Sequence, residues 1–119
     1  MEKNNNVIKK DFGYELVWAA NENYGGKIIV FEKPGKTAFF YQVKTEKTWF
    51  VNEGKFLVKW VDVANGGIYQ TELIPGTVHE CKTLIPYCLE CISETGSISE
   101  ANNGVDLDDV YITLGKGSF

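Results

Sequence analysis

Arginine is missing from the 119 residues, and all twelve basic side chains are lysine. The planar fork that grips phosphate bidentately or reads a guanine edge is therefore unavailable. Sixteen carboxylates against those twelve lysines leave a net charge of −4, and no basic cluster stands out, so duplex nucleic acid is excluded as a partner class on electrostatic grounds. An arginine-free, Asn-rich composition can equally reflect base-composition bias in a source genome. Histidine occurs once, at His79, so no site holding two or three imidazoles can be built within one chain. No apolar run approaches the roughly 20 residues that span a bilayer. Met1–Lys10 is polar and Asn-rich, neither a signal peptide nor an anchor, so no membrane contact and a cytoplasmic location are expected. Cys81, Cys88 and Cys91 make an odd number of cysteines, which predicts free thiols in a reducing compartment rather than disulfides.

What the chain does contain is turn chemistry. Gly25-Gly26, Pro34-Gly35, Glu53-Gly54, Asn65-Gly66-Gly67, Pro75-Gly76 and Asn102-Asn103-Gly104 separate short β-prone runs, the spacing of a sandwich or barrel. The runs predict strands at Gly13–Ala19, Lys27–Glu32, Thr37–Val43, Thr48–Asn52, Lys55–Asp62, Ile68–Leu73, Thr77–Cys81, Pro86–Glu94 and Val110–Leu114. None has a helical period. Thr48–Val51, the Glu53-Gly54 turn and Lys55–Trp60 read as a hairpin. Gly96–Asp109 is polar without apolar period and reads as a loop or a frayed crossing before the final strand. A chain of this length supports one core, giving a flexible tail over 1–11 and one all-β domain over 12–119.

Pro34-Gly35-Lys36-Thr37, Thr48–Lys55, Leu73-Ile74-Pro75-Gly76-Thr77 and Pro86, in that order, resemble the two motifs of the cupins. Together with the strands Phe12–Ala19 and Gly26–Lys33, the sequence is similar to small single-domain cupins related to mannose-6-phosphate isomerase. The resemblance covers Phe12 to about Glu94 and implies a double-stranded β-helix, or jelly-roll barrel. It also implies a divalent ion held by inward histidines and a carboxylate or glutamine. At the matching positions this chain has Phe40 and Gln42, or Tyr41 and Val43 if the gap moves, then Lys47 or Glu46, and Tyr87. Phenylalanine has no lone pair, and a lysine ammonium repels a cation. No metal and no other cofactor are expected.

In the register the resemblance implies, Phe40, Gln42, Lys47, Trp49 and Tyr87 line the barrel as candidate ligand-binding residues: aromatic walls with an amide, an ammonium and a phenol. The same side chains could instead fill the interior. Lys47, Glu46 and Tyr87 are the candidate acid–base groups. His79 reads as a rim or surface histidine or as a base. Cys88 and Cys91, three apart in a strand, face opposite sides and read as packing residues; a zinc site of His79, Cys81, Cys88 and Cys91 is the alternative. Asp106, Asp108 and Asp109 read as a solvated acidic loop, since calcium-hand spacing is missing.

Three functions follow as expectations. The first is a metal-free cupin that binds a small polar or sugar-like molecule, phosphorylated or not, without transforming it. The second is a metal-independent sugar isomerase or epimerase. The third is a dimerising barrel with a vestigial pocket. A homodimer through the N-terminal strands is expected in each, because Gly13–Ala19 reads as an edge strand that needs cover.

Overall fold

A computed structural model describes residues 6–104 and 109–114. These hold twelve strands: β1 (Val7–Lys10), β2 (Gly13–Ala20), β3 (Gly25–Phe31), β4 (Gly35–Lys36), β5 (Phe39–Tyr41), β6 (Lys47–Glu53), β7 (Phe56–Val61), β8 (Ile68–Leu73), β9 (Val78–Cys81), β10 (Tyr87–Cys91), β11 (Gly96–Asn102) and β12 (Tyr111–Leu114). The first sheet runs β1-β2-β3-β11-β6-β9; the second runs β12-β5-β10-β7-β8, with β4 also on β10. Among the described residues every pairing is antiparallel. No helix among them is long and apolar enough to cross a membrane.

Alternation decides which side chains enter the space between the sheets. In β6, Lys47, Trp49 and Val51 are buried while Thr48 and Phe50 are exposed. Phe31, Phe56 and Ile98 are fully buried and lie in one core with Phe12, Val51, Val58, Leu73, Leu89 and Cys91. Burying each of the three contributes about 2–3 kcal/mol of apolar transfer. Phe12 stacks on Phe31 at 3.8 Å, and Phe56 meets Phe31 edge-on at 5.4 Å.

Three sequence expectations are corrected. Thr48–Val51 and Lys55–Trp60 do not pair as a hairpin: β6 bonds to β11 and β9, while β7 bonds to β10 and β8. Glu53-Gly54 instead carries the chain from one sheet to the other. Gly54 has φ of 88°, and a Cβ there would lie 2.5 Å from the Thr95 carbonyl oxygen, so glycine is required. Gly96–Asp109 is not a loop at its start, because β11 lies between β3 and β6 in the middle of the first sheet. Ile98 and Glu100 point inward there, and Ser97 and Ser99 do not. The tail over 1–11 contains β1, whose residues pair with Gly13–Leu16, so β1 rather than β2 forms the sheet edge.

Of the strand expected over Thr37–Val43 only Phe39–Tyr41 forms, as β5; β4 lies before it, at Gly35–Lys36. The segment after it is tied by Asp109, whose carboxylate accepts the N–H groups of Val43, Lys44 and Thr45 at 2.8–2.9 Å and the Thr45 hydroxyl at 2.9 Å. Asp109 is therefore a buried clamp, 4% exposed, rather than part of a solvated loop. Burial pushes its carboxyl pKa up, but these four hydrogen bonds outweigh burial and hold it at about 2. Asp106 and Asp108 lie outside the described residues.

Candidate functional site

The inner face of the first sheet carries an alternating row of charge across four strands. Strand register sets it: Glu100 of β11 lies opposite Lys27 of β3 on one side and Trp49 of β6 on the other, and Lys47 lies opposite Asn102 and Cys81. Glu15 of β2 completes the row with an ion pair to Lys27 at 2.9 Å. The order is Glu15, Lys27, Glu100, Lys47. Each neighbour has the opposite sign, which is how buried charge is tolerated.

Glu100, 3% exposed, is the hub of this row. Its Oε1 accepts the Trp49 indole N–H at 2.9 Å and its Oε2 accepts the Asn102 amide at 2.9 Å. The Lys47 amine is 3.9 Å from Oε1, an ion pair without hydrogen-bond contact. Three rings surround that amine, with centroids at 5.1 Å for Phe40, 5.7 Å for Trp49 and 5.4 Å for Tyr87. Burial pulls the Lys47 pKa down, and attraction to Glu100 offsets it only in part. At Lys27 burial also acts downward, but Glu100 and Glu15 outweigh it and the pKa rises.

The second sheet supplies the opposite wall. Tyr87 of β10 pairs with Phe40 of β5, their rings 4.7 Å apart, and meets Trp49 edge-on at 5.6 Å. Its hydroxyl lies 3.5 Å from Gln42 Oε1 and shares a hydrogen bond with Cys81. Burial drives the Tyr87 phenol well above its ordinary range and pushes the Cys81 thiol up to about 12. Neither group ionises near neutral pH.

All five residues expected to line a pocket, Phe40, Gln42, Lys47, Trp49 and Tyr87, are brought together. Trp49 and Tyr87 belong to the packed core, with Phe40 against it. The open space lies beside them, a cleft of about 570 Å³ at the barrel end where β6 begins and β9 and β11 finish. Eight of its eleven lining residues have polar or charged side chains, and the surface they expose is about as apolar as polar. Lys47 and Cys81 are its buried members, while Glu46, Glu80, Lys82 and Asn103 stand around them exposed. Of the five pocket residues only Lys47 reaches the cleft; of the acid–base candidates, Lys47 and Glu46 do and Tyr87 does not.

His79 sits across from Trp49 in β9, its ring 6.0 Å away, and burial lowers its pKa. Cys88 is buried outside the core that holds Cys81 and Cys91, so the two C-x-x-C thiols face opposite sides of β10. The zinc alternative of His79, Cys81, Cys88 and Cys91 is therefore not assembled. Among the described residues no group of three or more His, Cys, Asp or Glu side chains is placed to hold a metal. The divalent ion implied by the resemblance does not fit the central position either. Lys47 already puts a cation there, and Glu100, the carboxylate that pairs with it among the described residues, gives both oxygens to Trp49 and Asn102.

Glu100, Asn102 and Asn103 were missed by the sequence reading. Gly96, Ile98, Glu100 and Asn102 recur at every second position, the one signal that could have found them, but Ser97 and Ser99 between them made the segment look like a loop.

No family model and no curated protein matches the sequence. Solved structures do match the fold. The capsular polysaccharide assembling protein CapF of Staphylococcus aureus superposes with a TM-score of 0.79 at 12% identity, over 91% of this chain and 32% of that one. Oxalate decarboxylase from Bacillus subtilis gives 0.77 at 11% identity, over 89% of this chain and 29% of that one. Peruvianin-I, a cysteine peptidase from Thevetia peruviana latex, gives 0.68 at 14% identity, over 78% and 57%. The chain thus spans about a third of the first two proteins, and identities this low speak to fold alone. With two antiparallel sheets closing on one core and these neighbours, the chain has the cupin fold, a double-stranded jelly-roll β-helix.

Proposed function

We propose that this cupin-fold chain is a binding domain that holds a small polar or sugar-like molecule, phosphorylated or not, without metal-dependent catalysis. The observation that carries the reading is the cleft of about 570 Å³ with Lys47 at its buried side. That volume lies within the roughly 300–1,000 Å³ of small-molecule sites. The lysines, carboxylates and side-chain amides around it offer the donors and acceptors that hydroxyl groups need, and Lys47 and Lys82 add positive charge for a phosphate. Because a ligand that prefers the folded state raises stability by about 2.7 kcal/mol at a hundred times its Kd, a saturating ligand should raise the melting temperature by several degrees. Sugars, sugar phosphates, polyols and nucleotides form the panel, and a flat response across all of them removes the reading.

A second reading is a metal-independent isomerase or epimerase of a sugar derivative, in keeping with the resemblance to mannose-6-phosphate isomerase relatives. It is favoured by Lys47 and Glu46 lying on one cleft, which gives an amine and a carboxylate as acid and base. Deuterium from heavy water entering a candidate sugar supports it, and an unlabelled sugar after prolonged incubation counts against it. The homodimer belongs to the proposal too: β1 is an exposed sheet edge, and Trp18 on the neighbouring β2 is 60% exposed. Sedimentation that returns a monomer at high concentration would remove that part. Free, buried thiols suit the reducing cytoplasm to which we assign the chain, and fractionation tests it.

A further inference from the structure

The geometry points to a covalent role for Lys47, whose amine condenses with the carbonyl group of an aldehyde or ketone held in the cleft. This rests on reading the cleft as a ligand site and adds a bond to it. Lys47 is the buried basic group on the cleft lining. Rings of Phe40, Trp49 and Tyr87 stand 5.1, 5.7 and 5.4 Å from its amine, and the cleft is the open space that this residue lines.

Imine chemistry needs a lysine that spends part of its time neutral and an acceptor that can take its proton. The groups facing Lys47 are Glu100 on β11, Cys81 on β9, and, further along the row, Lys27 on β3 and Glu15 on β2. Burial acts on Lys47 more strongly than the attraction of Glu100 and Cys81, and Lys27 adds repulsion; the balance lowers the pKa. Glu100 is held in place by Trp49 and Asn102, and at 3.9 Å it does not occupy the amine with a hydrogen bond. Tyr87, whose ring lies 5.4 Å from the amine, stays a neutral phenol.

The step balances without an oxidant. The ammonium gives one proton to Glu100 or solvent, and the neutral nitrogen attacks the carbonyl carbon to form a C–N bond. The carbonyl oxygen becomes a hydroxyl, then leaves as water with the remaining nitrogen proton, and the C=N bond closes. Amine plus carbonyl gives imine plus water. An open-chain aldose or a short oxo acid is the matching ligand class, and a polyol cannot react.

Reductive trapping tests this on the full native chain. D-glyceraldehyde and pyruvate are incubated separately with the protein at pH 7 in the presence of sodium cyanoborohydride, and the modified lysines are located by peptide mass mapping. With at least one of them, Lys47 should be labelled several-fold faster than any of the other eleven lysines, since a lowered pKa leaves more of its amine neutral. The excess should vanish on unfolding in urea and in Lys47→Arg. Should Lys47→Arg fail to fold, the map of the unaltered protein still decides. Labelling confined to exposed lysines overturns the proposal. If polyols raise the melting temperature while Lys47 stays unlabelled, the binding reading stands and the covalent step falls; neither a shift nor a Lys47 adduct removes both.

Discussion

Glu100 divides one carboxylate among an indole, an amide and an ammonium. Breaking a buried charge pair by removing one partner typically costs about 3–5 kcal/mol, because the other charge is left uncompensated. Glu100→Gln should therefore destabilise the chain by about 3 kcal/mol, and Lys47→Met by a similar amount. The double variant Lys47→Met/Glu100→Gln should lose clearly less than the sum, as read from urea midpoints in a double-mutant cycle. Additive losses would mean that the 3.9 Å pair carries no coupling. Lys47 itself was legible in the sequence because the cupin-like motif assigned its position. Glu100 was not, since its role depends on a strand partner 51 positions away at Trp49, and only the register of β6 on β11 brings the two together.

The strands were legible where β-branched and aromatic residues run together, as in Thr48–Val51, and illegible where Ile98 is the one large apolar residue among small and polar ones, as in Gly96–Asn102. Local signals also could not distinguish a hairpin from a crossing: Glu53-Gly54 looks the same whether β7 returns along β6 or leaves for the second sheet. The loop after β5 shows a third kind of dependence, since its three consecutive N–H groups find their acceptor in Asp109, more than sixty residues on. With a folded-state pKa of about 2 against 3.8 for an unperturbed aspartate, the clamp stabilises fully above about pH 5. Its contribution is lost as pH falls through 4 toward 2, where the carboxylate takes up its proton. Asp109→Asn should lower stability at neutral pH and flatten the acid limb of stability between about pH 5 and 2, measured by denaturant midpoint against pH. An acid limb unchanged in the variant would assign that loss to other carboxylates.

As a whole molecule, the barrel closes its polar interior with its own side chains. The sequence already excluded a multi-histidine metal centre, through the count of one histidine, but it could not show that an amine occupies the central position or that the usable space lies at the barrel end. Both depend on how large side chains from two sheets share one volume, which no motif encodes. Dialysis against EDTA should leave the melting temperature unchanged to within about a degree, since a metal that binds the folded state would add stability that chelation removes. A drop of several degrees, restored by one divalent metal, would show that an ion is part of the fold.

Glu15, Lys27, Glu100 and Lys47 together make the barrel an internal zwitterion whose charges sum to zero. Glu100 and Lys47 are buried, so dissolved salt screens them less than it screens surface charges, and the strength of their pairing depends mainly on the low polarity around them. Any guest that changes the charge of Lys47 unbalances the whole row at once. The ionisation of Lys27, on β3 and three strands from the cleft wall at β9, would then report occupancy of a site whose lining does not include it.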